Sequence, residues 1–299
     1  MNSVQNEAQI LVTGAAGHIG REVCRLLGNG NRPFVAVDLS DDPPHNIRAC
    51  DLRWESQVSS LLQVQRISAV IHLGGMLPTA FQLNPLIGAD VNITGSLRLI
   101  QHSLRARVKR FVFASSMSVY GSEPSQQALN ENDYAAPDEV YGAAKRAIEL
   151  VGENLSTTGV IQFIALRIAR VVGLGIRKTS SPWRSQIFEQ HPHSQRIRLP
   201  FSPDAILSLV HVEDVARMLV LLSEATDVSH SIYNSPVEVW DAKRLKDMIE
   251  NVRGLAVVLD GEEGASGGSI CDGSRFTQEF SFRAPPLRDR LKACGVCRS

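Results

Sequence analysis

The sequence predicts an α/β fold built on a doubly wound parallel sheet. Short runs rich in Val, Ile and Phe recur through the first half of the chain, and segments with helical spacing of apolar residues separate them. A glycine-rich turn joins the first run to the first helical segment. Continuous apolar runs are typical of strands buried on both faces, and crossover helices are what connect parallel strands.

The elements follow in order along the chain. The predicted strands are Ala8–Val12, Phe34–Asp38, Ala69–Leu73, Phe111–Phe113 and Ile161–Leu166. The predicted helices are Arg21–Gly28, Trp54–Val64, Asn92–Arg105, Glu139–Ser156, Val212–Ser223 and Asp241–Val252. Beyond Gly173 the regular alternation is lost. We therefore expect a main domain over residues 1–172 and about 205–225, and a smaller, discontinuous C-terminal lobe over 173–204 and 226–299.

Composition limits the classes of partner. Lys plus Arg and Asp plus Glu number 31 each, without a long run of one sign, so neither nucleic acid nor an anionic membrane surface is expected. No apolar run reaches about 18 residues, and the five cysteines are scattered, which favours a cytoplasmic, reduced protein. Cys294 and Cys297 have the spacing of half a metal site but lack a second pair, so no metal is expected. A small molecule is the expected ligand.

The turn Thr13–Gly20 carries three glycines, Gly14, Gly17 and Gly20. Glycines let the backbone bend sharply and approach a pyrophosphate at the start of a helix. Asp38 ends the second predicted strand, where a carboxylate can bind a ribose and would repel a 2′-phosphate. Although the turn alone is a weak signal, together with Asp38 it predicts a Rossmann-type domain that binds NAD rather than NADP.

Two further motifs carry reactive groups. Tyr141 and Lys145 lie four residues apart, so on a helix they share one face, and an adjacent ammonium would favour the phenolate. Ser115 and Ser116 end the predicted strand that starts at Phe111, at the edge where such sheets bind ligands. Either hydroxyl could bond a substrate oxygen while the tyrosine moves the proton, although each motif also fits an ordinary surface or strand-end role.

The chain resembles the extended short-chain dehydrogenase/reductases, which include sugar-nucleotide epimerases, dehydratases and related dehydrogenases. The resemblance covers nearly the whole length and depends on the order of many motifs. These are Thr13–Gly20, Asp38, Cys50–Leu52, His72–Gly75, Val91–Gly95, Ser115–Gly121, Tyr141–Lys145, Leu166–Arg167 and Leu209–Asp214.

The resemblance implies roles. Ser116, Tyr141 and Lys145 would be catalytic, with Tyr141 as the acid/base and Lys145 binding the nicotinamide ribose and lowering the pKa of the tyrosine. The implied NAD-binding residues are Gly14, Gly17, His18, Ile19, Gly20, Asp38, Asp51, Leu52, Leu73, Gly74, Gly75, Asn92, Tyr141 and Lys145. Substrate contacts are expected from Met76, Ser115, Ser116, Arg170 and Arg184. The resemblance also implies a homodimer through helices near 92–105 and 139–156.

Three departures from the family pattern bear on the reaction. Met117 and Ser118 replace the Asp-Glu pair of the dehydratases, which disfavours dehydration. Arg170 stands where sugar-nucleotide members usually carry Asn, and Leu207 stands where they tend to carry a diphosphate-binding Arg. Losing that arginine disfavours a nucleotide diphosphate and favours a smaller polyol, sugar acid or hydroxy acid, whose carboxylate could meet Arg170 or Arg184.

The expected function is therefore that of an NAD-dependent oxidoreductase acting on a secondary alcohol or ketone of a carbohydrate-like substrate. A sugar or nucleotide-sugar epimerase is the near alternative. A redox-silent NAD-binding regulator is a third possibility, but such a protein has no need of the proton-transfer residues Ser116, Tyr141 and Lys145.

Overall fold

The computed structural model describes residues 8–122, 127–175, 181–190, 196–261 and 267–295. Its strands are Gln9–Thr13 (β1), Phe34–Asp38 (β2), Ile47–Ala49 (β3), Ile67–His72 (β4), Arg110–Ser116 (β5), Gln162–Ile168 (β6), Arg170–Val172 (β7), Arg196–Leu199 (β8), Ile206–His211 (β9), Ile232–Asn234 (β10), Glu238–Asp241 (β11) and Ala256–Leu259 (β12).

The helices are His18–Asn29 (α1), Glu55–Val64 (α2), Pro78–Leu83 (α3), Pro85–Ala89 (α4), Ser96–Arg105 (α5), Val140–Thr157 (α6), Trp183–Gln186 (α7), Val212–Glu224 (α8), Ala242–Arg253 (α9), Ser274–Phe280 (α10) and Leu287–Gly295 (α11). A π-helical segment, Asp90–Gly95, leads directly into α5, and a short 3₁₀ turn, Met117–Tyr120, follows β5. All six predicted helices are present, with ends that differ by a few residues.

The main sheet has seven strands in the order β10-β6-β5-β4-β1-β2-β3. The pairings of β1 with β2 and β4, of β2 with β3, and of β4 with β5 are all parallel. Leu11, Val12, Val70 and Ile71 are fully buried, as expected for strands covered on both faces. The predicted doubly wound parallel sheet is confirmed.

The chain divides into two compact units. The first contains residues 1–121, 134–167 and 215–233, and the second contains 122–133, 168–214 and 234–299. This division differs from the predicted bounds because β9 pairs with β7 and β11 in a separate three-stranded sheet. Residues 226–233, which were expected in the smaller lobe, belong to the first unit. The reason is that Ala165 N, in β6, donates to Ser231 O at 2.8 Å, just before β10.

Each unit has its own apolar core. In the first unit the core lies between the sheet and its helices and includes Phe111, Phe113 and Phe163, whose rings stack or tilt against one another about 6 Å apart. In the second unit the core includes Trp183, Phe201 and Leu207. In the described part of the chain, no helix is both long and apolar enough to span a membrane.

Candidate functional site

The glycine turn lies between β1 and α1, at the carboxyl end of the sheet. Gly14 has a φ of 69°, and a Cβ there would lie 2.7 Å from Gly74 N, in the neighbouring loop. A Cβ on Gly20 would fall on the Gly14 carbonyl oxygen and 2.7 Å from Ala15 Cα. These contacts involve backbone atoms that have no room to move, so the turn can exist only with glycine at both positions.

Among the described residues, no side chain caps the N-terminus of α1, where Gly17 is the N-cap residue. The first amides of a helix have no acceptor within that helix, and the helix dipole adds positive potential at the same place. His18, in the first turn, has a buried Nε2 without a partner among the described residues, and burial lowers the pKa of its ring. The helix start is therefore a set of unused donors beside a turn that has no side chain larger than that of alanine between Gly14 and Gly17, which fits a pyrophosphate.

Asp38 lies at the end of β2, next to this turn. Its Oδ2 accepts a hydrogen bond from Ala16 N at 2.9 Å, and its Oδ1 accepts one from Leu39 N at 2.7 Å. The parallel pairing of β1 with β2 places the carboxylate beside the turn, although the two segments are more than twenty residues apart in sequence. A carboxylate so placed can accept the hydroxyls of an adenosine ribose.

A buried histidine joins the ends of β1 and β4 below the turn. The Nδ1 of His72 lies 2.6 Å from Thr13 Oγ1, and its Nε2 lies 2.9 Å from Ser96 Oγ. Thr13 Oγ1 also accepts a hydrogen bond from Gly74 N. Burial, followed by the charge of Lys145, lowers the pKa of His72 to about 3, so the ring is neutral and acts as a fixed link.

The loop after β4 is held by Asn92. Its Oδ1 accepts a hydrogen bond from Met76 N at 2.6 Å, and its Nδ2 donates to Met76 O at 2.9 Å. Asn92 lies in the π-helical segment, and a Cβ on Gly75 would contact its side chain. Asn92 therefore shapes the segment Leu73–Met76, which the sequence predicted to contact cofactor and substrate.

Asp51 and Leu52 were expected at the adenine, and both have partners within the chain. The Asp51 carboxylate accepts three hydrogen bonds from the Arg53 guanidinium, which hold the pKa of that carboxyl below its usual range. The Leu52 carbonyl accepts a hydrogen bond from Arg98 at 2.8 Å. Their role toward adenine stays a prediction.

Ser116, Tyr141 and Lys145 come together where β5 ends and α6 begins. Ser116 Oγ donates to Ser118 Oγ at 3.2 Å, and the Ser116 hydroxyl lies near enough to the Tyr141 phenol to lower its pKa. Lys145 Nζ donates to Ala114 O at 2.7 Å and lies 5.5 Å from the centre of the Tyr141 ring. The structure thus brings together a hydroxyl, a phenol and an ammonium, the groups that proton transfer at an alcohol requires.

Gly142 allows the start of α6 to lie close to the turn that follows β5. A Cβ there would clash with the Ser118 carbonyl group, whose carbon would be 2.9 Å away, and would lie 3.1 Å from Pro137 Cβ. Because residue 142 lacks a side chain, the first turn of α6 packs directly on the turn that follows Ser116.

The pKa of Tyr141 is raised to about 12, where a lowered value was expected. Burial of the phenol is the main cause, and the nearby Ser116 hydroxyl opposes it. Burial also lowers the pKa of Lys145 to about 8, against the charge of Glu149, which raises it. The lysine side chain is directed to the Ala114 carbonyl and to the Phe113 ring, 4.6 Å away, and burial is the larger influence on the pKa of the phenol.

Ser115 requires a correction. Adjacent residues of a strand point to opposite faces, so only one of the two serines can face a ligand. Ser115 is buried, and its Oγ donates to Glu149 Oε1 at 2.6 Å. It belongs to the packing between β5 and α6, which leaves Ser116 as the serine available to a substrate.

Sequence reasoning missed the buried network around Glu149. This carboxylate is fully buried and pairs with both ends of the Arg167 guanidinium, at 2.9 and 2.8 Å. Arg167 also donates to Tyr120 Oη at 2.7 Å. The available signal was the spacing of Tyr141, Lys145 and Glu149, four residues apart each time, which places all three on one face of α6.

Arg170 and Arg184, the candidate anion ligands, both lie in the second unit. Arg170 opens β7 and Arg184 lies in α7. Residues 123–126, 176–180, 191–195, 262–266 and 296–299, including Cys297 of the Cys294 pair, fall outside the described residues. Within the described ranges, no group of three or more His, Cys, Asp or Glu side chains is arranged to hold a metal ion.

A parallel sheet with a glycine turn after β1 and a carboxylate after β2 defines the class of dinucleotide-binding proteins. The model of the NAD dependent epimerase/dehydratase family matches residues 10–234. The chain therefore belongs to this family, which is of the extended short-chain dehydrogenase/reductase type and uses NAD. The predicted family and cofactor are confirmed.

Relatives and solved structures agree with this family. The UDP-glucose 4-epimerase of Erwinia amylovora is 31% identical over 180 residues, which is 55% of this chain and 53% of that protein. The enzyme of the same name from Yersinia pestis is 29% identical over 49% of this chain and 48% of its own length. The chain thus matches about half the length of these relatives.

Among solved structures, MoeE5 in complex with UDP-glucose and NAD has a TM-score of 0.80 at 26% identity, over 95% of this chain and 96% of that one. The L-threonine dehydrogenase of Phytophthora infestans has a TM-score of 0.86 at 18% identity, over 96% and 98% of the two chains. The second likeness shows the fold alone.

Proposed function

We propose that the protein is an NAD-dependent oxidoreductase that acts on a secondary alcohol or ketone of a carbohydrate-like substrate. The observation that carries the proposal is the assembly of Ser116, Tyr141 and Lys145 in one place. A protein that only binds NAD has no need of a phenol and a serine hydroxyl beside a buried ammonium.

The glycine turn, the start of α1 and Asp38 would hold the cofactor, and Leu73–Gly75 with Asn92 would border it. When bound, NAD supplies the acceptor or donor of a hydride at its nicotinamide ring. The fit of NAD to these residues is supported by the unused donors at the start of α1 and by the glycines of the turn, where a side chain would meet the backbone.

Tyr141 and Ser116 would handle the substrate oxygen. Because its pKa is about 12 here, Tyr141 is a protonated phenol at neutral pH and can donate its proton to a carbonyl oxygen in the reductive direction. In the oxidative direction the phenolate must form, and the Ser116 hydroxyl favours it by lowering the pKa of the phenol. Ser116 would also orient the substrate oxygen toward the phenol.

An epimerase is the second candidate, favoured by the two UDP-glucose 4-epimerases among the relatives. Both reactions use the same proton transfer, and they differ in whether reduced cofactor is released. Arg170 and the fully buried Leu207, at the two positions that depart from the family's phosphate contacts, favour the dehydrogenase with a smaller substrate. We assign substrate selection to the second unit, which carries both residues.

The test combines a product assay with the Tyr141→Phe variant. Candidate polyols and sugar acids are supplied with NAD, and NADH is followed at 340 nm while the carbohydrate products are separated. Stoichiometric NADH supports a dehydrogenase, whereas a new epimer without net NADH supports an epimerase. Tyr141→Phe should lower turnover about 100-fold to 10,000-fold.

Tyr134→Phe is the matched control, because Tyr134 lies in the same unit with its side chain exposed to solvent. It should leave turnover unchanged. Unchanged turnover in Tyr141→Phe on a verified substrate would remove the catalytic assignment.

We also propose a homodimer formed through α5 and α6. An open groove of about 450 Å³ lies between these helices and is lined by Leu97, Leu104, Val151 and Leu155 among others. Leu150 and Val151 on α6 expose much of their apolar surface. A second copy of the same face would cover both, since isologous packing of one face on itself is the commonest route to a dimer.

A further inference from the structure

Two arginines lie close together inside the second unit. Arg170 is the first residue of β7, and Arg184 lies in α7. Gly173 N, just after β7, donates a hydrogen bond to Arg184 O at 3.0 Å, which fixes α7 against the end of that strand. Both side chains are mostly buried.

Two contacts orient the Arg170 side chain. Its guanidinium lies over the ring of Phe201, 5.0 Å from the ring centre, and its Nη2 donates to the Gly267 carbonyl at 2.5 Å. An aromatic face and one neutral carbonyl orient a guanidinium but do not neutralise it. The remaining donors of its planar fork are available to an acceptor.

Two buried polar atoms near Arg170 lack hydrogen-bond partners among the described residues, and both are donors. Arg184 Nε is buried and has no hydrogen-bond partner among the described residues. The same holds for Nε1 of Trp183, whose ring packs edge-on against Phe201 at 5.8 Å. Buried donors without acceptors are rare in native proteins, and several together indicate that an acceptor from outside the chain belongs there.

Two other arginines with little exposed surface have carboxylate partners. Arg167 pairs with Glu149, and Arg290 pairs with Asp214 and Glu213. In contrast, no carboxylate among the described residues forms an ion pair with Arg170 or Arg184. Burial, and then the charge of Arg184, lowers the pKa of Arg170 to about 10, so both groups remain charged at neutral pH and repel each other.

We propose that Arg170 and Arg184 form an oxyanion-binding site, and that the substrate carries the oxyanion as a carboxylate or a phosphate. An anion would satisfy the buried donors and cancel the repulsion between two like charges. The binding site itself stands independently, whereas the identity of its ligand as the substrate rests on the proposed function.

The first experiment measures thermal unfolding with NADH at saturating concentration, so that the glycine turn is already filled. D-gluconate supplies a carboxylate, uridine diphosphate supplies phosphates, D-glucitol is the neutral match for gluconate, and sodium chloride matches the ionic strength. We expect gluconate or uridine diphosphate to raise Tm by roughly 5 °C at a hundredfold excess over Kd, and the neutral polyol to leave it unchanged. The anion that stabilises identifies the source of the oxyanion.

The second experiment repeats the titration with Arg170→Gln and Arg184→Gln. Each should weaken binding of the stabilising anion about tenfold to 100-fold. Arg198→Gln is the matched control, because Arg198 is an exposed arginine of the same unit that pairs with Asp260. It should bind the anion as the unchanged protein does.

Stability without anion gives an independent readout. Removing a buried charge that lacks a counter-ion relieves repulsion, so the Tm of Arg184→Gln should equal or exceed that of the unchanged protein. Stabilisation by neither anion, equal anion binding in all variants, or a large loss of Tm in anion-free Arg184→Gln would each overturn the proposal. If the anion binds but Tyr141→Phe retains turnover, the proposed function fails and this site stands.

Discussion

Glu149 places a full negative charge beside the candidate catalytic lysine in a fully buried position. Glu149→Gln would leave the Arg167 guanidinium buried without its counter-ion, and breaking a buried pair in this way costs about 3–5 kcal/mol. The same change would lower the pKa of Lys145 below about 8, because Glu149 raises it. Chemical denaturation should show the loss of stability.

The control for that prediction is Glu153→Gln. Glu153 accepts a hydrogen bond from Arg146 on the same helix but is partly exposed, so its removal should cost less than about 1 kcal/mol. Equal losses of unfolding free energy in the two variants would mean that the buried ion pair stabilises the protein no more than the exposed one does.

His72 makes stability depend on pH. Its pKa is about 3 in the folded chain and about 6.5 when unfolded, so between these values the unfolded chain binds more protons. Its contribution to stability is complete above pH 6.5 and is lost as the pH falls, by about 1.4 kcal/mol per pH unit. His72→Gln should be less stable at pH 7 but should lose less stability on acidification. Parallel stability curves for the two proteins between pH 4.5 and 7 would contradict this.

At the scale of single residues, the sequence identified most of the functional side chains but not which way each one points. The residue types and spacing of Ser116, Tyr141 and Lys145 predicted that they would meet, and they do. Spacing alone did not reveal that Ser115 faces Glu149, or that burial outweighs the effect of Lys145 on the phenol. Both outcomes depend on which atoms from distant segments fill the space around each group.

At the scale of elements, the geometry of the glycine turn can be tested directly by substituting one of its glycines. In Gly20→Ala the new Cβ would meet the backbone of Gly14 and Ala15, so the turn must shift, and NAD binding should weaken by about tenfold or more. Fluorescence titration with NADH measures the change.

Gly28→Ala is the matched control within the same helix. A Cβ at Gly28 would have no atom within 4 Å, and alanine favours a helix over glycine by about 0.5–1 kcal/mol. That variant should bind NADH normally and unfold at a higher temperature. Similar losses of affinity in both variants would show that the helix as a whole, and not the turn, had been disturbed.

The helices and strands that the sequence did not predict were missed for identifiable reasons. Pro78 and Pro85 suggested breaks between elements, yet each begins a short helix, because the first position of a helix needs no amide hydrogen. Helical structure continues from Pro85 through the π-helical segment into α5, so the predicted start at Asn92 was too late. Strands of three or four residues, such as β3 and β7, are too short to show periodicity.

At the scale of the whole molecule, the doubly wound sheet of the first unit was predictable because its strands are continuous apolar runs. The second unit was not, since its sheets join segments that are distant in sequence, as when β8 pairs with β12. Nothing in a short apolar run such as Ile206–Leu209 indicates whether it belongs to a large sheet or a small one.

The proposed dimer can be tested at the same scale. Val151→Glu would place a charge in the groove between α5 and α6, where burial against a second copy would be costly, and should convert dimer to monomer. Val160→Glu is the control, because Val160 is exposed just beyond the end of α6. Sedimentation velocity separates the two states. A protein that sediments as a monomer before any substitution would contradict the proposal.

The close packing at Gly142 limits how far the site can rearrange when a ligand binds. The separation between the first turn of α6 and the turn after Ser116 is set at Gly142, where a Cβ would meet the Ser118 carbonyl group. Backbone contacts of this kind leave little room for adjustment when a ligand arrives. Crystals grown with and without cofactor should therefore show the same distance between Gly142 Cα and the Ser118 carbonyl carbon, whatever else in the protein moves.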